Sequence, residues 1–206
     1  MKVIGVLSRK GGVGKTTLAI HLAVLAQQAG LRTLLVDLGP QGSAVAWWRA
    51  REAETPQVTV TTPPELVGIL DAAKASAVDL VVIDARPGVE ADALHVATLA
   101  DLVLIPTRPA IFDLRAILGT LDIVKGTARR ALIVLNACPP PRGAGEASIV
   151  TDARRALTRR AGCDHQPRRL RLGRGVRPDG RRGRTGQQGS KRDARVVARC
   201  GKGVEL

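Results

Sequence analysis

The sequence predicts an α/β domain: a mostly parallel sheet flanked by helices on both faces, followed by an aberrant basic tail. Three observations lead there. Short β-branched runs alternate with longer helical stretches up to Leu157. Several of those runs are apolar without alternation, as strands covered on both faces require. After Leu157 the composition breaks.

The strand candidates are Val3–Leu7, Thr33–Asp37, Val58–Val60, Leu80–Asp84, Leu102–Pro106 and Ala131–Asn136. Each is short and rich in Val, Ile or Leu, the residues that fit a pleated, buried surface. The helix candidates are Lys15–Ala29, Ser43–Ala53, Pro64–Ala75, Ala91–Leu99, Asp113–Lys125 and Glu146–Leu157. In the first of them Leu18, Leu22, Leu25 and Ala29 recur at three- and four-residue spacing, which predicts one buried stripe. Strictly alternating β and α elements place successive strands parallel through right-handed crossovers.

The chain of 206 residues carries 32 Lys+Arg against 18 Asp+Glu, a net charge of +14. Residues 1–157 hold 17 basic and 14 acidic side chains, whereas residues 158–206 hold 15 and 4. The excess therefore sits in the tail. Residues 158–206 contain nine glycines, no aromatics and seven Leu, Ile or Val, too little apolar area to offset ordering entropy. The expected organisation is a domain over 1–157 and an Arg/Gly-rich tail over 158–206. The tail reads as disordered, as the product of a shifted reading frame in GC-rich DNA, or as a basic arm for nucleic acid. A lost final strand would leave a sheet edge open.

Cys138, Cys163 and Cys200 are too few and too scattered for a disulfide framework or a zinc site. Met1–Val6 has no signal-peptide architecture, and no run of 18 apolar residues exists to span a membrane. A cytoplasmic location without membrane attachment is the expectation. His21, His95 and His165 are dispersed; His21 and His95 lack partners at metal-ligand spacing and read as structural, and one of the pair Trp47-Trp48 reads as a packing residue.

The most informative stretch is Lys10-Gly11-Gly12-Val13-Gly14-Lys15-Thr16-Thr17, between the first strand and the first helix. Glycines let backbone N–H groups turn inward around phosphate oxygens, and the helix N-terminus adds its positive dipole end. Lys15 is placed to reach β- and γ-phosphates, and Thr16 to offer a hydroxyl to Mg²⁺. No G-x-G-x-x-G dinucleotide fingerprint can be drawn through these residues. Leu80-Val81-Val82-Ile83-Asp84 ends an apolar strand on a carboxylate, suited to a Mg²⁺-bound water.

This loop resembles that of the deviant-Walker ATPases, the group of the ParA partition ATPases and the MinD cell-division ATPases. Leu34-Leu35-Val36-Asp37-Leu38-Gly39-Pro40-Gln41-Gly42-Ser43 is similar to the ParA-type second-strand motif. The likeness continues through Ala100–Pro109, Phe112-Asp113-Leu114 and Leu135-Asn136. It covers roughly residues 2–157, and Pro40-Gln41-Gly42-Ser43 favours the ParA branch. The resemblance implies a P-loop NTPase-type fold with ATP and Mg²⁺ as cofactors. It implies that Lys10 reaches across a dimer interface to the partner's nucleotide and that Asn136 contacts adenine. Lys10, Lys15 and Asp37 would then be the catalytic residues. Lys10 to Thr17 and Asn136 would bind nucleotide, and Thr16 and Asp84 would hold the metal. The implied protein is an ATPase for plasmid or chromosome segregation. It would cycle between monomer and ATP-sandwich dimer on non-specific DNA, nucleoid-associated in the cytoplasm, with a ParB-like activator.

Two departures qualify this expectation. Gly39 stands where the family has a second aspartate that helps position the attacking water, so binding is expected to outlast turnover. A nucleotide-dependent binding module with little or no hydrolysis is the alternative, and another cellular cargo is a third reading. Arg86 occupies a position where the family has proline or a small residue.

Overall fold

The computed structural model describes residues 1–138 and the strand Arg195–Cys200. Six parallel strands form its centre: β1 (Lys2–Val6), β2 (Thr33–Asp37), β3 (Gln57–Val60), β4 (Leu80–Asp84), β5 (Leu102–Thr107) and β6 (Arg130–Leu135). A seventh, β7 (Arg195–Cys200), pairs antiparallel with β6. The order across the sheet is β3-β2-β4-β1-β5-β6-β7. The helices are α1 (Lys15–Gln28), α2 (Ser43–Arg49), α3 (Leu66–Ala75, entered through a 3₁₀ turn at Pro63–Glu65), α4 (Glu90–Leu99) and α5 (Ile111–Gly126).

Both sheet faces are covered, as the non-alternating apolar strands predict. Along β4, Val81 and Ile83 enter one core with Leu66 and Leu70 of α3, Val96 of α4 and Leu121 of α5. Val82 enters the other, with Leu18, Ala19 and Ala23 of α1 and Ala44 of α2. The connections after β1 and β5 thus run to opposite faces. Such a switch point opens a crevice at the carboxyl ends of the strands, here beside β1.

Two expectations are corrected. The α1 stripe lies elsewhere: Leu18, Ala19, Ile20, Ala23 and Val24 are the buried positions, and Ala29 is exposed at the helix end. Small alanines let the helix approach the sheet closely, so they take the contact that larger leucines were assigned. Helix α2 stops at Arg49 rather than Ala53. The indole of Trp48 donates to the Glu54 carbonyl at 3.1 Å, and Arg51 donates to the Thr55 carbonyl at 2.9 Å while its guanidinium lies 4.4 Å over Trp47. These contacts fold the chain back onto α2. Within 158–206 the structure describes one strand, Arg195–Cys200, which holds the adjacent valines Val196 and Val197. The helix expected at Glu146–Leu157 and the rest of the tail lie outside the described residues.

Gly5 of β1 lets α4 close onto the sheet, because a Cβ there would stand 2.9 Å from Val96 Cγ1. Overpacking of this kind costs about 1–3 kcal/mol. Gly5→Val is therefore expected to lower the urea midpoint with an unchanged m-value; an unaltered midpoint would show that α4 does not pack this tightly.

Candidate nucleotide site

The loop between β1 and α1 sits at that switch point. Gly12 (φ +70°) and Gly14 (φ +93°) adopt left-handed backbone, which glycine enters without strain. Gly14 needs its glycine twice, because a Cβ would collide with the Asn136 side-chain amide. Val13 is buried, anchoring the loop beneath its glycines.

Neighbouring elements grip this loop from several sides. The Arg9 amide donates to Thr120 Oγ1 of α5 at 3.2 Å. Lys10 pairs in cis with Asp113, a buried carboxylate in the first turn of α5. Arg108, on the β5–α5 connection, donates to the Gly12 carbonyl. Asn136, just after β6, donates its amide to the Val13 carbonyl at 2.9 Å, while its own backbone N–H bonds Thr107 O at 2.7 Å. Lys15 reaches the Lys10 carbonyl at 3.4 Å. With these carbonyls and side chains engaged, the loop amides are left for a ligand.

The structure brings Lys10, Gly11, Gly12, Val13 and Gly14 into one loop and Lys15, Thr16 and Thr17 into the first turn of α1 that continues it, with Asp84 and Asn136 beside them and Asp37 next to Asp84. Asp84 ends β4 in register with Asp37 of β2. It is buried, accepts a hydrogen bond from Thr16, and has an unpartnered oxygen, Oδ1. Its carboxyl is pushed up to about 6, chiefly by burial and also by the nearby Asp37, against the downward pull of Thr16 and Lys15. Lys15 is in turn lowered by burial, opposed by Asp84.

An orphaned buried carboxylate oxygen beside a threonine hydroxyl is the donor set a hard divalent cation takes, so these residues fit Mg²⁺. The glycine-rich amides and Lys15 fit the phosphates of a nucleotide.

Asp37 has a different occupation. Its Oδ1 accepts the Gly39 amide and its Oδ2 the Ala44 amide, both at 2.8 Å. Asp37 thus holds the β2–α2 loop, and its oxygens are already engaged. At Gly39 a Cβ would lie 3.0 Å from Asp37 Oδ1, so the loop is shaped around glycine. A cavity of about 580 Å³ opens beside it, lined by Gly39, Arg49, Thr61, Thr62 and Arg86 among others. Arg86 pairs with Asp92, a buried acid in the first turn of α4, which accounts for the arginine at this position. Asp113 and Arg108 are the site residues to which sequence reasoning gave no role. Both lay within stretches that carry the family likeness, Ala100–Pro109 and Phe112-Asp113-Leu114, without a role attached to them. Among the described residues no group of His, Cys, Asp and Glu could hold a metal by itself.

The sequence profile of the CobQ/CobB/MinD/ParA nucleotide binding domain matches residues 4–158. The chain belongs to this family. It is 39% identical over 165 residues to the maintenance of carboxysome distribution protein A of Gloeobacter kilaueensis, covering 77% of this chain and 72% of that one. It is 31% identical over 147 residues to the chromosome-partitioning ATPase Soj of Thermus thermophilus, covering 57% of this chain and 59% of Soj. Among solved structures, apo McdA of Cyanothece superposes with a TM-score of 0.61 at 16% identity, covering 76% of this chain and 81% of that one. The pNOB8 ParA bound to nonspecific DNA gives 0.60 at 17% identity, covering 80% and 76%. These two likenesses establish the P-loop NTPase-type fold. A protein of similar fold, cobyrinic acid a,c-diamide synthase of Mycobacterium smegmatis, was solved with ADP and magnesium (TM-score 0.56, 20% identity, covering 74% and 80%).

The Asp84 carboxyl yields a linkage prediction. Its folded pKa lies above its unfolded value, so the folded state holds the proton more tightly. Its favourable contribution is present below about 4 and is lost as pH rises to about 6. Asp84→Asn is therefore expected to stabilise the ligand-free protein at pH 7.5 by on the order of 2 kcal/mol, with the gain vanishing near pH 4. Melting curves across that range check it; a pH-independent difference would contradict the buried charge.

Proposed function

We propose that this chain binds ATP with Mg²⁺ and uses it to switch between a monomer and an ATP-sandwich dimer. The observation that carries the reading is the convergence of Lys15, Thr16 and Asp84 on a left-handed glycine loop, with the second lysine, Lys10, at its mouth. Lys15 and the loop amides hold the phosphates, while Thr16 and Asp84 hold the metal. The bound metal supplies charge neutralisation at the phosphates. Asn136, through its brace on Val13, keeps the loop open and lies where the family resemblance puts the adenine. Lys10 crosses to the partner's nucleotide once it leaves Asp113.

The dimer is proposed to bind DNA without sequence preference and to meet a ParB-like activator. The cargo is a plasmid or chromosome, as for the relatives named for partitioning. The carboxysome-distribution relative favours a second cargo class, a protein assembly moved by the same cycle. Among the described residues no helix is long and apolar enough to cross a membrane.

Hydrolysis is the weaker half of the cycle in this proposal. Gly39 brings no carboxylate, and both oxygens of Asp37 are engaged by backbone amides. Those two facts support a slow ATPase whose bound state persists, and they favour the alternative of a nucleotide-dependent binding module.

Light scattering with ATP and Mg²⁺ tests the switch. The wild-type chain is expected to double in mass and Lys15→Ala to remain monomeric without bound nucleotide. Lys10→Ala is expected to bind ATP as a monomer. Dimers of Lys10→Ala that depend on ATP would refute the trans role, and undiminished ATP binding by Lys15→Ala would refute the site.

A further inference from the structure

Arg108 is a cation at the loop mouth to which neither the strand-loop-helix motif nor the family resemblance gives a role. It leaves the end of β5, where Thr107 is buried and its carbonyl is fixed by the Asn136 amide. Its root is therefore rigid and its exposed side chain is free to turn. The guanidinium donates to the Gly12 carbonyl, across 96 positions of the chain.

Among the described residues Arg108 has no carboxylate partner, unlike Lys10 with Asp113 and Arg86 with Asp92. An arginine charge thus rests on a neutral carbonyl at the rim of an anion cradle. Hydrogen bonds to an ionised oxygen are about twice as strong as those to a neutral one. A phosphate oxygen at this rim would outcompete the carbonyl for the guanidinium. The end of the loop is also marked. Lys15, the lysine that serves β- and γ-phosphates, points at the Lys10 carbonyl, two residues before Gly12. Arg108 and Lys15 thus bracket the same Lys10–Gly12 stretch of the loop, the end assigned here to the terminal phosphate.

We infer that Arg108 is a third phosphate-binding cation, acting in cis on the γ-phosphate and setting the preference for ATP over ADP. This rests on the ATP reading above. It adds positive charge to a site whose carboxylate complement is already reduced at Gly39, so it strengthens nucleotide retention rather than turnover.

Binding of fluorescent ATP and ADP with Mg²⁺ tests it in wild type, Arg108→Ala, Arg108→Lys and Lys15→Ala. Arg108→Ala is expected to lose about ten- to hundredfold in ATP affinity and less than about threefold in ADP affinity. Arg108→Lys is expected to recover part of the ATP loss, since the charge is kept and the fork is not. Equal losses for both nucleotides would make Arg108 a loop brace, and unchanged affinities a bystander; either result overturns the inference. ATP affinity retained by Lys15→Ala would instead overturn the nucleotide reading itself. Melting temperatures of the free variants separate misfolding from lost binding.

Discussion

A phosphate cradle is an arrangement of backbone amides that must all point one way. Such a loop would collapse on its own carbonyls unless these were engaged elsewhere. Here the Lys10 carbonyl is taken by Lys15, the Gly12 carbonyl by Arg108 and the Val13 carbonyl by Asn136. The Lys10 side chain is taken by Asp113. Each such bond contributes only about 1 kcal/mol net, more where charged, but together they fix the loop's shape before any ligand arrives. The sheet order follows from this need. Placing β1 between β4 and β5, with β6 next, brings the ends of β5 and β6 over one side of the loop and Asp84 under the other.

The carboxylates divide the chemistry. Asp84 is buried, adjacent to Asp37 and short of one partner, which makes it a poor resident and a good metal ligand. Asp37 gives its oxygens to Gly39 and Ala44 and so shapes the β2–α2 loop. Gly39 leaves the water-positioning function without an obvious owner. A site with ample cations and few carboxylates holds phosphate well and has little with which to orient an attacking water.

The local features were legible in the sequence. Glycines at fixed spacing, two lysines, Thr16 and a strand ending on Asp84 form a pattern whose physics is contained in a few residues. The parallel sheet was legible because Leu80–Asp84 and Leu102–Pro106 lack alternation. What was not legible depends on residues far apart in the chain. Asp113 meets Lys10 across 103 positions, and Arg108 meets Gly12 across 96. Only the strand order brings them together, and no local periodicity encodes it. The end of α2 was misjudged because indole and guanidinium contacts override helix propensity there.

The braced loop, with Thr16 and Asp84, is proposed to form a site for ATP and Mg²⁺. Calorimetric titration of the full chain with ATP, in Mg²⁺ and again in excess EDTA, tests it most directly. The account predicts one ATP per chain in Mg²⁺ and a marked loss of affinity on chelation. Absence of binding in Mg²⁺, or binding indifferent to the metal, would contradict it.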